Sequence, residues 1–274
     1  MKKRLQKIEK TLLVLLLCVI IDNVVHCQDS NHDTILPQII ELPQGCKLIL
    51  DPNIDLVDTV SIEIVNGICN ILPQVQKLIP VDSVTISLAI SSQYILPVWG
   101  VGGRTISDDS GERIAFYFDP KHPNFRVEYI LRSLVHEFHH ACRVRMPDFQ
   151  VTILECMVNE GLADKFIVEV LHCDEKTPWN SALTEEQIQQ YMIRVKPVMR
   201  EKYESWTKEL DEWMLFGKPE PEPIPGWTGY SIGWRIVENY LKTHPEAKAS
   251  SLVFTSPEVI VSSTPELMVD NEKK

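Results

Sequence analysis

The sequence predicts an α+β fold, with a small mixed sheet in the first half and a mostly helical C-terminal half. Three observations carry this reading. Val84-Thr85-Ile86-Ser87-Leu88-Ala89-Ile90 alternates with period two and is rich in β-branched residues. Ile114 to Phe118 is a second apolar strand, stopped by Asp119-Pro120. From there on, the apolar residues recur at helical spacing, interrupted by caps and prolines.

Taken in order, the chain first shows a basic stretch ending at Lys10 and an apolar run from Leu12 to Ile21, which Asp22 interrupts. The run is too short for a standard membrane span and has the proportions of a secretory signal peptide, with a signal anchor as the alternative. Val25-His26-Cys27 lacks the small residue expected before cleavage, and His26 fits a lipobox poorly. The segment predicts a secreted or cell-envelope protein, periplasmic or extracellular, that associates with the membrane through its N-terminus if the segment is retained. Residues 28–52 read as irregular, broken by Pro37, Pro43 and Pro52. Residues 53–79 read as one or two helices.

Gly100, Gly102 and Gly103 mark a turn or a close approach of backbone. A helix is predicted from Asn124, an acceptable cap, to about Arg143, and a second over 151–171. Thr184-Glu185-Glu186-Gln187 fits a capping box opening a third, which Pro197 should kink or divide. Lys218 to Pro225 reads as an exposed loop, Tyr230 to Leu241 as a fourth helix, and Thr264 to Lys274 as a frayed polar tail. The predicted organisation is a targeting segment at 1–27, a helical or irregular segment at 28–83, a catalytic domain at 84–262 and a tail at 263–274.

The formal charge is −11. Lys2, Lys3, Arg4, Lys7 and Lys10 against Glu9 and Asp22 give residues 1–27 a net of +3, so the remainder carries −14. Such a surface repels phosphates, which argues against a nucleic-acid partner. The seven cysteines are odd in number, so they cannot all pair internally. Cys142 and Cys156 lack zinc-finger spacing and read as buried thiols or one disulfide.

The chemistry is carried by two segments. His136-Glu137-Phe138-His139-His140 reads H-E-x-x-H. On a helix, positions four apart share a face, so His136 and His140 can offer imidazole nitrogens to one ion. Glu137 lies on the flank of that face, within reach of a water held there. Catalytic zinc takes three protein ligands and keeps one open position. Asn159-Glu160-Gly161-Leu162-Ala163-Asp164 supplies the third ligand in Glu160, on the next predicted helix. Asp164, one turn on, could accept a hydrogen bond from a ligand histidine and fix its tautomer. His139 points about 100° away from His140 and reads as packing. Glu155 competes with Glu160 but has no matching Asp one turn later. Arg143 and Met146 stand where a metzincin needs Gly and a third His.

With these motifs the chain resembles the gluzincin metallopeptidases, and more closely a bacterial family of predicted zinc-dependent proteases first filed as a domain of unknown function. Gly100-Val101-Gly102-Gly103, Phe118-Asp119-Pro120, Glu160-Gly161-Leu162-Ala163 and Gly229-Tyr230-Ser231-Ile232-Gly233 are similar to that family, over roughly 84–255. The resemblance implies a zincin-like fold and a Zn2+ cofactor on His136, His140 and Glu160, with Glu137 as general base and Asp164 behind the ligands. It implies a peptide or protein substrate lying along an edge strand near Ile114–Phe118. It makes Tyr230 a candidate donor to the oxyanion; His172 and His244 lack a supporting motif. Trp206, Trp213, Trp227 and Trp234 read as packing for the C-terminal half. Rival readings are a zinc-binding, non-catalytic module on a protease scaffold, and an interaction domain in which the motif is accidental.

Overall fold

The computed structural model describes residues 37–108, 111–173 and 177–268. The basic-apolar segment at 1–27 and the last residues of the tail, 269–274, lie outside the described residues. Among the described residues no helix is long and apolar enough to cross a membrane.

Five strands form one mixed sheet: β1 (Gln38–Glu41), β2 (Lys47–Leu50), β3 (Thr85–Ile90), β4 (Val101–Asp108) and β5 (Gly111–Phe118). Their order is β1-β2-β3-β5-β4. β2, β3 and β5 run parallel, and β1 and β4 are antiparallel to their neighbours. The parallel β2–β3 pair needs a crossover, which α1 (Thr59–Leu78) provides. Asp58 caps α1 by accepting Ser61 N–H at 3.1 Å. Ile64, Ile68, Ile71, Leu72 and Val75 form its buried face. Each such side chain contributes about 1.5–3 kcal/mol on burial. In the sheet Leu48, Leu50, Ile86, Leu88, Ile114, Phe116 and Phe118 are buried at alternate positions.

Several expectations change here. Residues 28–52 read as irregular, yet Gln38–Glu41 and Lys47–Leu50 pair as a hairpin. Each strand is four residues long and bounded by proline, too short to show a period. The glycines stand as expected: Gly100, at φ 69°, closes a turn, and at Gly102 on β4 a Cβ would lie 2.0 Å from Tyr94 O. The strand at Ile114–Phe118 is not the edge: β5 sits between β3 and β4, and β4 is the edge strand on that side among the described residues.

The helical half begins with α2 (Val127–Arg143) and α3 (Ile153–Leu171). α2 starts later than predicted, because Asn124 Nδ2 donates to Val98 O at 3.3 Å rather than capping the helix. Thr152 caps α3 by accepting Glu155 N–H at 2.9 Å. The capping box at Thr184 and Gln187 opens α4 (Glu185–Val195). α4 then stops, since Pro197 has no N–H to give the carbonyl four residues back. α5 (Lys208–Met214), α6 (Thr228–Thr243) and α7 (Pro257–Val261) complete the chain. Thr264 and Leu267 are buried, so the tail is packed rather than frayed as far as Met268. The five described cysteines are all free thiols.

α3 and α6 make the most extensive helix contact among the described residues. It is a backbone contact: a Cβ on Gly233 would lie 1.9 Å from Met157 O, and one on Gly161 would lie 2.3 Å from Gly233 O. Arg143, fully buried, fastens the end of α2. Its Nε and Nη2 donate to Glu155 at 2.6 and 3.1 Å, and its Nη1 donates to Val253 O and Thr255 O at 3.1 Å. Glu155, the competing ligand, is thereby occupied.

Gly233→Ala should destabilise the protein by about 3 kcal/mol, at the upper end for overpacking, because backbone cannot yield as a side-chain tip can. A urea midpoint indistinguishable from the parent would contradict this packing.

Candidate metal centre

α2 presents His136 and His140 toward α3, which presents Asn159, Glu160 and Asp164, and turns Glu137 toward β4. All six side chains are buried. The structure brings His136, His140 and Glu160 together, with one ligand atom of each within 4.8 Å of the others. Glu160 Oε2 lies 3.0 Å from His136 Nε2, and Glu160 Oε1 lies 3.3 Å from His140 Nε2. The two Nε2 atoms are 2.8 Å apart.

The outer ring nitrogens are both held by acceptors. His136 Nδ1 donates to Asp164 Oδ1 and His140 Nδ1 donates to Asn159 Oδ1, each at 2.9 Å. Neutral rings so anchored carry their free lone pairs on Nε2, where they face each other and a carboxylate. Two lone pairs at this distance repel unless a positive charge sits with them. Burial alone would lower the His136 pKa, but Asp164 and then Glu160 overcome it and hold it well above the ordinary value. Burial would raise Glu160, yet His140 and His136 bring it down to about 2. Three donor atoms of a type zinc accepts, crowded around a cation-requiring point, fit a zinc ion.

Asp164 is itself anchored. Its second oxygen accepts Asn180 Nδ2 at 2.7 Å, Trp179 Nε1 at 2.8 Å and Thr177 Oγ1 at 3.3 Å. Glu137 is aimed from the sheet. Thr105 on β4 donates to Glu137 Oε2 at 2.8 Å and lies 3.0 Å from the Glu137 carbonyl. Gly103 makes room: a Cβ there would stand 2.6 Å from Phe116 and 3.3 Å from Glu137 Cγ. His136, Glu137, His140, Gly103 and Tyr230 line one cavity. Burial, and then the carboxylates of Glu160, Asp164 and Glu137, hold the Tyr230 phenol protonated, well above its usual pKa.

His139 is buried against Phe166 and does not line the cavity; burial first, and then the neighbouring His140, push its pKa well below the ordinary value. His172 closes α3 in a left-handed conformation and His244 stacks on Tyr240; neither lines the cavity. Sequence reasoning does not assign Asn159, Thr105, Trp99 or Trp179. Asn159 stands inside the motif, one residue before Glu160. Thr105 and the two tryptophans have no local signal.

The profile of the family described as Predicted Zn-dependent protease (DUF2268) matches residues 101–262. Two uncharacterized proteins of Bacillus subtilis (strain 168) are similar to parts of the chain. YjaZ is 30% identical over 123 residues, covering 43% of this chain and 45% of the relative. YjfC is 28% identical over 133 residues, covering 44% of this chain and 43% of the relative. The chain thus spans less than half the length of the curated relatives it matches. No solved structure matches it. The matched region runs from β4 through α7 and holds every residue of the cluster, and the profile covers more than half of the sequence, so the chain belongs to the family of predicted Zn-dependent proteases.

Proposed function

We infer that this protein is a zinc peptidase of gluzincin type on a zincin-like fold. His136, His140 and Glu160 would hold the ion, and Glu137 would act as general base. One observation carries the reading: two imidazole Nε2 atoms and a carboxylate converge on a point that demands a cation, with a second carboxylate, Glu137, in the same cavity. A silent binding module has no use for Glu137 there, which disfavours the non-catalytic alternative.

Bound zinc supplies a Lewis acid that acidifies water and polarises the scissile carbonyl. The chain's own groups do the rest. Glu137, oriented through the Thr105 hydroxyl on Oε2, keeps Oε1 for proton transfer. It takes a proton from the attacking water and returns it to the leaving amine as the C–N bond breaks. Asp164 and Asn159 hold the imidazoles in the tautomer that leaves Nε2 free. Tyr230, kept as a phenol, donates to the oxyanion that develops at the carbonyl. The outer edge of β4 lies beside this cavity and suits an extended peptide. The basic-apolar stretch at 1–27 favours action outside the cytoplasm, tested by fractionating cells that express the full chain.

Zinc content measured on the purified chain should approach one per molecule. Glu137→Gln should keep that zinc while peptide hydrolysis falls by about 10²–10⁴; undiminished turnover would remove Glu137 from the chemistry. Glu160→Ala should weaken zinc binding by at least about 100-fold, and full occupancy in a competition assay would point to another ligand.

Zinc affinity should depend on pH with a definite sign. Below the raised pKa of His136 the ion must displace one proton, so affinity drops about tenfold per pH unit as pH falls. Chelator competition across pH reads the slope; a flat line would mean no proton occupies the metal-free cluster.

A further inference from the structure

The cavity beside the histidines has a wall of aromatic rings from three separate parts of the chain. Trp99 precedes β4, Trp179 follows α3, and Trp227 and Tyr230 open α6. The rings touch in sequence. Trp99 and Trp179 have centroids 4.6 Å apart, Trp179 and Trp227 5.9 Å, and Trp227 and Tyr230 meet edge to face at 5.4 Å. Leu96 and Ile167 complete the apolar lining.

Three features distinguish this wall from ordinary core packing. First, Trp179 is fixed by its indole N–H on Asp164, the carboxylate that also holds His136. The wall is therefore built onto the hydrogen-bond shell of the metal cluster. Second, Trp227 is only half-buried and sits at φ 64°, a left-handed conformation that bulky residues rarely adopt. Its N–H is tied to Leu215 O at 3.1 Å, so the backbone is held in this state. A packing tryptophan needs no such backbone. By contrast Trp206 donates to Asp211 and Trp234 lies under Lys165, both away from the cavity. Third, the rings border a cavity of about 460 Å³, its open mouth included.

We propose that the cavity lined by Trp227, Trp179 and Trp99 is the specificity subsite, and that it takes an aromatic side chain of the peptide next to the bond attacked. The proposal rests on the peptidase reading above. Aromatic faces favour a ring over a branched or charged group. Among the described residues no lysine or arginine lines the cavity, so an acidic side chain would lose its water against the apolar wall with no cationic side chain to pair with. The Trp179 N–H is engaged, and the Tyr230 phenol faces the Glu160 carboxylate. Trp227, at the half-exposed mouth, is the residue that such a ring would cover.

The test uses the full-length Glu137→Gln protein, loaded with zinc, and blocked pentapeptides that differ only at the central residue. Calorimetry reads binding without turnover. The Phe peptide should bind about tenfold or more tightly than the Ala peptide, and the Asp peptide more weakly than either. Adding Trp227→Ala should erase the Phe preference, while Trp227→Phe should retain most of it. Circular dichroism checks that both variants fold. Equal affinity for Phe and Ala, or a preference unmoved by Trp227→Ala, overturns the subsite. Wild-type protein and the same peptides separate the two readings. Trp227-dependent binding without any cleavage keeps the subsite and removes the peptidase. Cleavage indifferent to the central residue, with no binding preference, keeps the peptidase and removes the subsite.

Discussion

The carboxylate of Asp164 ties the functional half of the molecule together. One oxygen holds His136 on α2, and the other collects three donors from residues 177–180. Burying a carboxylate is costly unless hydrogen bonds replace its water, and four donors do so here. Each donor also loses its own water, so removing the carboxylate would strand all four, at about 1–3 kcal/mol apiece. The interaction therefore works in both directions. It sets the tautomer of His136, and it draws the 177–180 segment onto α3 so that Trp179 faces the cavity.

The anchoring holds only because α2, α3 and α6 cannot shift. Gly161 and Gly233 let α3 and α6 meet backbone to backbone, which brings Tyr230, three residues before Gly233, to the cluster. At the far end of α2, Arg143 joins that helix to Glu155 on α3 and to the carbonyls of residues 253 and 255. A buried ion pair adds little net stability against an apolar pair of the same size, but losing one partner is expensive. Its effect here is to fix where α2 ends relative to α3, and with it the spacing of His140 from Glu160.

Much of this is legible in the sequence, and the limits follow from range. The period-two run at 84–90, the capping box at Thr184 and the paired motifs on α2 and α3 are local patterns, and each lies where local physics puts it. β1 and β2 escape such a reading because strands of four residues between prolines carry no period. Strand order escapes it because β4, with two glycines, has a weak strand signal and pairs outside β5. Asn159 does have a local signal, since it immediately precedes Glu160 on the helix that faces α2. Thr105, Trp99 and Trp179 are different. They lie roughly 30 to 40 positions from the histidines, and only the sheet edge and the 177–180 segment deliver them. Trp227 is legible as an aromatic but not as a wall, because its left-handed backbone is set by the Leu215 contact and not by its neighbours in sequence.

The site as a whole runs against what a stable interior prefers. Three carboxylates and two imidazoles share a space that excludes most water. In low dielectric their repulsions are stronger than at the surface, and only a cation or a shared proton relieves them. The same low dielectric strengthens every attraction to a charge that forms during a reaction. A surface version of this cluster would be easier to fold and weaker in its grip on an ion. The glycine contact and the apolar faces of the sheet supply the stability that the cluster subtracts, and the Arg143 clamp fixes the helices in place. The close helix packing and the aromatic wall are therefore not separate features: the packing lets a cation-demanding cluster be buried, and the wall lines the cavity beside it.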